Sequence, residues 1–307
     1  MASHGVECAV DRTAGVAERR TAIVSDTTTY LPRELSESFE LTEVSLYVTI
    51  DGRQERESEI VDLGEFYDRL RASTEGVSTS PPSVGDFVSA YEPLLADGME
   101  IVSIHIAGGI SGTVEAASQA RDHLVADGKQ GERITIFDSR TGAGGQGLVT
   151  LAGARVAADG GGPDAMVERM TQARDGFKMW FAVDTLEFLR RGGRIGAARA
   201  LLGSTLKIKP ILTLDEEITP VERVRTRRRA FERLIEYARE RHADGADAWV
   251  VQHVQDPEAA RHLVGECRQI FDREPVFVSE IGPVLGAHVG PGLLGVGAIS
   301  EKALEAG

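Results

Sequence analysis

The sequence predicts an α/β chain of two domains, a parallel-sheet N-terminal domain and an α+β C-terminal domain with a β-hairpin. Three observations carry this. Short apolar runs alternate with helical patterns along most of the chain, as strands joined by crossover helices do. One stretch breaks the alternation: LKIKPILTLDEEITPVERVR, at 206–225, has two extended segments around the polar turn Asp215-Glu216-Glu217 and reads as a hairpin. Finally, 307 residues exceed what one ordinary hydrophobic core organises.

Residues 1–20 precede the first apolar run and lack the apolar centre of a signal peptide, so they read as a disordered extension. Strands are expected at 21–25, 43–50, 101–106, 134–138, 179–183, 248–251 and 276–278. Helices are expected at 63–72, 84–95, 114–125, 148–158, 164–174, 231–242 and 257–271. ADGGGPD at 158–164 is a loop, with Gly and Pro as breakers. The boundary falls near ARDGFK, giving domains 21–176 and 177–307, with the C-terminal segment free to return to the first.

Composition narrows the function. Apolar residues make up 42% of the chain, ordinary for a folded protein, and no apolar run reaches the length of a membrane span. A net charge of −14 disfavours nucleic acids and acidic membranes, because like charges repel. The only cysteines are Cys8, in the extension, and Cys267, so no structural disulfide is expected and a cytoplasmic location fits. No Cys/His cluster has metal-site spacing, and neither a metal nor a cofactor is expected.

IHIAGGISGTVEAA, at 104–117, reads as a strand, a glycine turn and a helix opened by Ser111-Gly112-Thr113. Ser111 is a favoured N-cap type, and a helix N-terminus attracts anions through unpaired N–H groups and the macrodipole. STSPPSVGDF, at 78–87, places Thr79 and Ser80 before a Pro-Pro turn, with Ser83 capping the next helix and Asp86 in its first turn. In GPVLGAHVGPG, at 282–292, His288 lies between glycines that permit close approach of a ligand; alone it reads as a turn residue. Gly142–Gly147 fits G-x-G-x-x-G after a strand, but the acidic residue expected about 20 positions on falls in the glycine-rich loop. A second match at 290–295 has no room for a βαβ unit, and tight packing explains both.

Taken together these motifs resemble the DegV family, whose better understood members are fatty-acid-binding subunits of bacterial fatty acid kinase. The resemblance runs from about Thr21 to the C-terminus. It rests on SDTTTYLP (25–32), STSPPSVGDF (78–87), ISGTVEAA (110–117), LEFLRRGGRI (186–195), VRTRRRA (224–230) and GAHVGPG (286–292), in the family's order and spacing. It implies a long-chain fatty acid with its tail buried between two domains and its carboxylate held by Thr79, Ser111 and His288. Ser80, Gly112, Ser25 and Asp26 fall in the same motifs as supporting positions. It also implies a separate ATP-binding kinase subunit that phosphorylates the carboxylate to an acyl-phosphate, with Arg225 facing that partner, and peripheral membrane contact for lipid exchange. On this reading the chain carries no catalytic residue of its own, and it lacks a Walker A motif. Two positions depart from the family pattern: Pro81 stands where glutamine is usual, and Thr27 where serine is common.

The chemistry agrees. Burying a carboxylate costs several kcal/mol unless donors meet it, and hydroxyls, an imidazole N–H and helix-end N–H groups are suitable donors. Burying a tail contributes about 0.8 kcal/mol per methylene, so roughly fifteen give an upper bound near 12 kcal/mol before the cost of association. Two other readings stay open: a stand-alone lipid sensor or transport protein of the same fold, and a nucleotide-dependent enzyme or hydrolase. ERVRTRRRAFER, at 222–233, holds six arginines and two glutamates; it reads either as a solvated helix start with Glu–Arg pairs or as a partner face. Arg190, Arg191 and Arg194, around Gly192-Gly193, read as solvent-facing arginines at a helix break, with a contribution to the partner face as the alternative.

Overall fold

The structure is a computed structural model that describes residues 20–73, 76–201 and 208–305. The extension expected at 1–20 therefore lies outside the described residues but for Arg20, as do Cys8 and positions 206–207 of the expected hairpin. The strands are β1 Thr21–Asp26, β2 Thr42–Val44, β3 Tyr47–Ile50, β4 Arg53–Arg56, β5 Val77–Ser80, β6 Glu100–His105 and β7 Ile134–Asp138, then β8 Lys178–Ala182, β9 Lys209–Asp215, β10 Glu217–Val224, β11 Ala248–His253, β12 Phe277–Glu280 and β13 Leu294–Ile299. The helices are α1 Arg33–Ser38, α2 Leu63–Ala72, α3 Val84–Ala96, α4 Thr113–Ala126, α5 Gly144–Ala158, α6 Pro163–Gly176, α7 Glu187–Arg191, α8 Arg227–Ala243, α9 Pro257–Phe271 and α10 Pro283–Val289.

Three sheets result among the described residues. The first, β2-β1-β6-β7, is wholly parallel. Its central strand β6 is nearly all buried, as a strand covered on both faces must be. The second, β10-β9-β8-β13-β11-β12, is mixed, with β11–β12 its parallel pair. The third is a small antiparallel sheet, β4-β3-β5. Helix α5 lies between the two large sheets, touching β1 on one side and β11 on the other. It is buried almost all round, which explains why it shows no amphipathic stripe. One apolar cluster runs through it, joining Ile23, Val102 and Ile104 to Ala248, Val250 and Ile299.

Several elements differ from the sequence reading. The single strand expected at 43–50 is two: β2 joins the parallel sheet, and after Ser45-Leu46 the chain leaves to form β3 in the small sheet. Strand β13, LGVGAI, went unrecognised because its glycines read as loop, yet it is the fully buried centre of the second sheet. Gly295 and Gly297 there leave room for the Phe181 and Phe177 side chains. Helix α5 begins at Gly144, earlier than expected, so the G-x-G-x-x-G stretch is its first turn, buried against Gln252 and Phe177. The hairpin is present as β9–β10, turning at Glu216 with φ 62°. No helix among the described residues is long and apolar enough to cross a membrane.

Candidate functional site

Thr79 lies on β5, held in register by pairing with Val48 of β3. Pro81 and Pro82 end that strand, and Ser83 starts α3 with a capping box in which its hydroxyl accepts from the Asp86 amide. Ser111 sits in the loop after β6. It is not the N-cap of α4: that position is Gly112, which has no side chain to cap with. The Ser111 hydroxyl is instead 2.8 Å from the Thr113 hydroxyl. A local cap is thus replaced by a hydroxyl pair at the mouth of the helix. His288 lies in the last turn of α10 rather than in a bare turn, and it is buried.

The structure brings Thr79, Ser80, Ser111 and His288 onto one cavity. His288 Nε2 is 2.7 Å from the Thr79 hydroxyl oxygen, a contact 209 residues apart in sequence. Its other nitrogen, Nδ1, is buried with no hydrogen-bond partner among the described residues. Gly192 of the Gly-Gly turn packs against that ring edge, where a Cβ would collide with Nδ1. Burial, aided by the charge of Arg194, pushes the imidazole down to about 4, so the ring is neutral near pH 7.

Arg194, expected in solvent from its sequence context, is instead partly buried and lines the cavity. Its guanidinium donates to the carbonyls of Ile110, at 3.2 Å, and Gly192, at 2.8 Å. Among the described residues it is the one charged side chain on the cavity wall, and none of their carboxylates pairs with it. Arg190 and Arg191, by contrast, both bind Glu187 at the surface. The sequence held no signal separating the three, because only the turn at Gly192-Gly193 folds Arg194 back under the loop.

Away from this end the wall is apolar, contributed by both halves of the chain: Leu46 and Ile106 from the first, Phe181, Ile218, Val250 and Leu293 from the second. The cavity is open to solvent, and the centres of water-sized spheres have about 70 Å³ within it. Gln252, the polar residue deep in it, is satisfied: its carbonyl accepts from the Gly144 amide and its amide donates to Ser279 at 2.9 Å.

The remaining predicted residues lie off the cavity wall. Gly112 is exposed beside it, near Pro81. Ser25 and Asp26 are fully buried beneath the loop. Ser25 donates to the Ile104 carbonyl at 3.2 Å, and Asp26 accepts from the Ile106 amide at 3.0 Å and from His105 at 3.2 Å. Burial alone would raise the Asp26 carboxyl; bonds from His105, Thr28 and the Ile106 amide outweigh it and hold the group below its ordinary range. These two residues therefore anchor the start of the Ser111 loop. Arg225 stands exposed between β10 and α8. Of its neighbours, Arg228, Arg229 and Arg233 pair with Glu232, Glu236 and Glu222, so the Glu–Arg reading holds for those three, while Arg227 pairs with Asp256. Among the described residues no group of His, Cys, Asp and Glu is placed to hold a metal ion.

A family model described as "Uncharacterised protein, DegV family" matches residues 20–301. The DegV domain-containing protein SCO2569 of Streptomyces coelicolor is 39% identical over 285 residues, covering 91% of this chain and 98% of that protein. Protein DegV of Bacillus subtilis is 32% identical, over 90% of this chain and 97% of its own. Among solved structures, a fatty-acid-binding DegV family protein from Thermus thermophilus superposes with a TM-score of 0.81 at 31% identity, over 92% of this chain and 99% of that one. DegV of Bacillus subtilis, described as a fatty acid binding protein, gives 0.81 at 30% identity, over 92% and 100%.

Proposed function

The chain belongs to the DegV family, and on that premise we propose that it carries a long-chain fatty acid and presents its carboxylate to a separate ATP-binding kinase subunit, which forms the acyl-phosphate. The observation that carries the binding half is the cavity itself: an apolar interior with hydroxyls, a neutral imidazole and a guanidinium that no described carboxylate pairs, gathered at one end. On this reading Nδ1, without a partner among the described residues, carries no proton, and Nε2 donates to the Thr79 hydroxyl oxygen. The Thr79 hydroxyl proton is then free to point at a carboxylate, as is that of Ser111. Arg194 supplies the balancing charge, without which a buried carboxylate would be strongly disfavoured. Pro81, on the wall beside Thr79, shapes the same mouth.

The presenting half rests on sequence. No Walker A motif is present, and Thr79 and Ser111 act as donors rather than nucleophiles, so the protein itself contributes no catalytic residue. Arg225, exposed and unengaged by any described carboxylate, meets the phosphate-bearing partner. The protein works in the cytoplasm and touches the membrane peripherally to exchange lipid.

Mass spectrometry of an organic extract tests the ligand class, with one fatty acid per chain expected. A hydroxyl bonded to a carboxylate contributes about 1.5–3 kcal/mol, so Thr79→Ala/Ser111→Ala weakens binding by roughly 10²–10⁴-fold. Unchanged lipid content in that variant rejects the head-group assignment. Arg225→Glu separates a kinase-linked carrier from a stand-alone lipid sensor: only the former loses phosphorylation while keeping its lipid.

A further inference from the structure

Helix α10, which carries His288, cannot cap itself. It begins at Pro283, which has no N–H, and its N-cap is Gly282, which has no side chain. The amides of Val284 and Leu285 are therefore the first that need acceptors, and both acceptors come from more than 220 residues away. Val284 donates to Glu57 Oε1 at 2.8 Å, and Leu285 donates to the Tyr30 hydroxyl oxygen at 3.2 Å. Tyr30 in turn donates a hydrogen bond to Glu57 Oε1 at 2.8 Å, and Thr27 donates to Oε2 at 2.5 Å. Tyr67 of α2 donates to the Ile281 carbonyl at 3.0 Å. Gly282 is what admits this cluster: a Cβ there would stand 2.6 Å from the Tyr30 ring and 3.0 Å from Glu57 Oε1. One turn on from Val284, on the same helix face, is His288.

We infer that Glu57, seconded by Tyr30, is a positioning residue whose carboxylate sets the first turn of α10 and so aims His288 at Thr79. The purpose of that aim rests on the fatty-acid reading; the coupling itself needs no ligand. The groups facing Glu57 are Thr27, Tyr30, the Val284 amide and the charge of Asp26; Tyr67 senses both Glu57 and Glu280, and His288 faces Arg194. Burial pushes the Glu57 carboxyl up to about 7, against the bonds donated by Thr27, Val284 and Tyr30. His288 itself protonates only at about 4. Near neutral pH, then, Glu57 changes charge and the imidazole does not. Once protonated, Glu57 donates a hydrogen bond to Thr27 or Tyr30, whose hydroxyl has to turn, and its neutral Oε1 accepts the Val284 N–H more weakly than the carboxylate did, so the first turn of α10 loosens.

The test is NMR of lipid-free, ¹³C-histidine-labelled full-length protein, with the His288 ring signal identified by its loss in His288→Gln. In the wild type that signal shows an inflection near pH 7, separate from its own titration near pH 4. Glu57→Gln keeps the shape of the side chain and abolishes the upper inflection while leaving the lower one. Tyr30→Phe removes a bond that holds Glu57 ionised, so it moves the upper inflection to higher pH; this second variant decides the matter if Glu57→Gln does not fold. A wild type without an inflection between pH 6 and 8, or one that Glu57→Gln or Tyr30→Phe leaves unmoved, overturns the inference. Lipid content is read separately by mass spectrometry: an absent fatty acid with the inflection intact defeats the ligand reading and leaves the positioning role standing.

Discussion

His288→Gln offers a quantitative check on the geometry around His288. The imidazole is buried beside Arg194 and lies at about 4, against about 6.5 in an unfolded chain. Above pH 6.5 the ring is neutral in both states and the site has its full stability. Between 6.5 and 4 the unfolded ring binds a proton that the folded ring refuses, so stability falls as pH falls. The full effect is about 2.5 pK units, or about 3 kcal/mol. For a chain of this size that is about 5 °C in melting temperature. The wild-type curve alone conceals it. Glu57, raised to about 7, gains protons on folding across much of the same range and stabilises the acid side. The two contributions oppose each other, so the informative quantity is the difference between wild type and His288→Gln, in which Glu57 cancels. Calorimetry of both lipid-free proteins from pH 7.5 to pH 4 should show that difference shifting by about 5 °C against the wild type. A difference constant to within about 1 °C would mean that His288 is neither buried nor beside a positive charge as described.

Three further outcomes follow from the same structure. Ser83→Ala removes the hydroxyl half of the α3 capping box and should cost about 1 kcal/mol, read by thermal unfolding, with lipid retained. Leu214→Trp places a larger ring on the cavity wall at a half-buried position, and the extracted acids should shift to shorter chains by mass spectrometry; an unchanged profile would put the tail elsewhere. Cys267 is buried and its thiol pushed up to about 12, chiefly by that burial, so a Cys8→Ser protein should react with a thiol reagent only after unfolding.

The sequence alone determined the local elements whose cause is local. The alternating apolar runs marked β1, β6, β7 and β11, the hairpin announced its polar turn, and Ser83 with Asp86 capped α3 as their spacing required. Ordered motifs that carry a family resemblance also singled out Thr79, Ser80, Ser111 and His288, which the structure brings onto one cavity. What it could not supply was anything that depends on two distant segments meeting. The Thr79–His288 bond, Arg194 turned inward while Arg190 and Arg191 stay outside, and Glu57 capping a helix that begins at Pro283 all join residues remote in sequence. Strand β13 was missed for the same reason, since its glycines make sense only beside the phenylalanines they admit. Local patterning records backbone preference and burial period; the partner that satisfies a buried donor, and the charge that sets a buried imidazole, are decided only when the sheets and α5 close around the cavity.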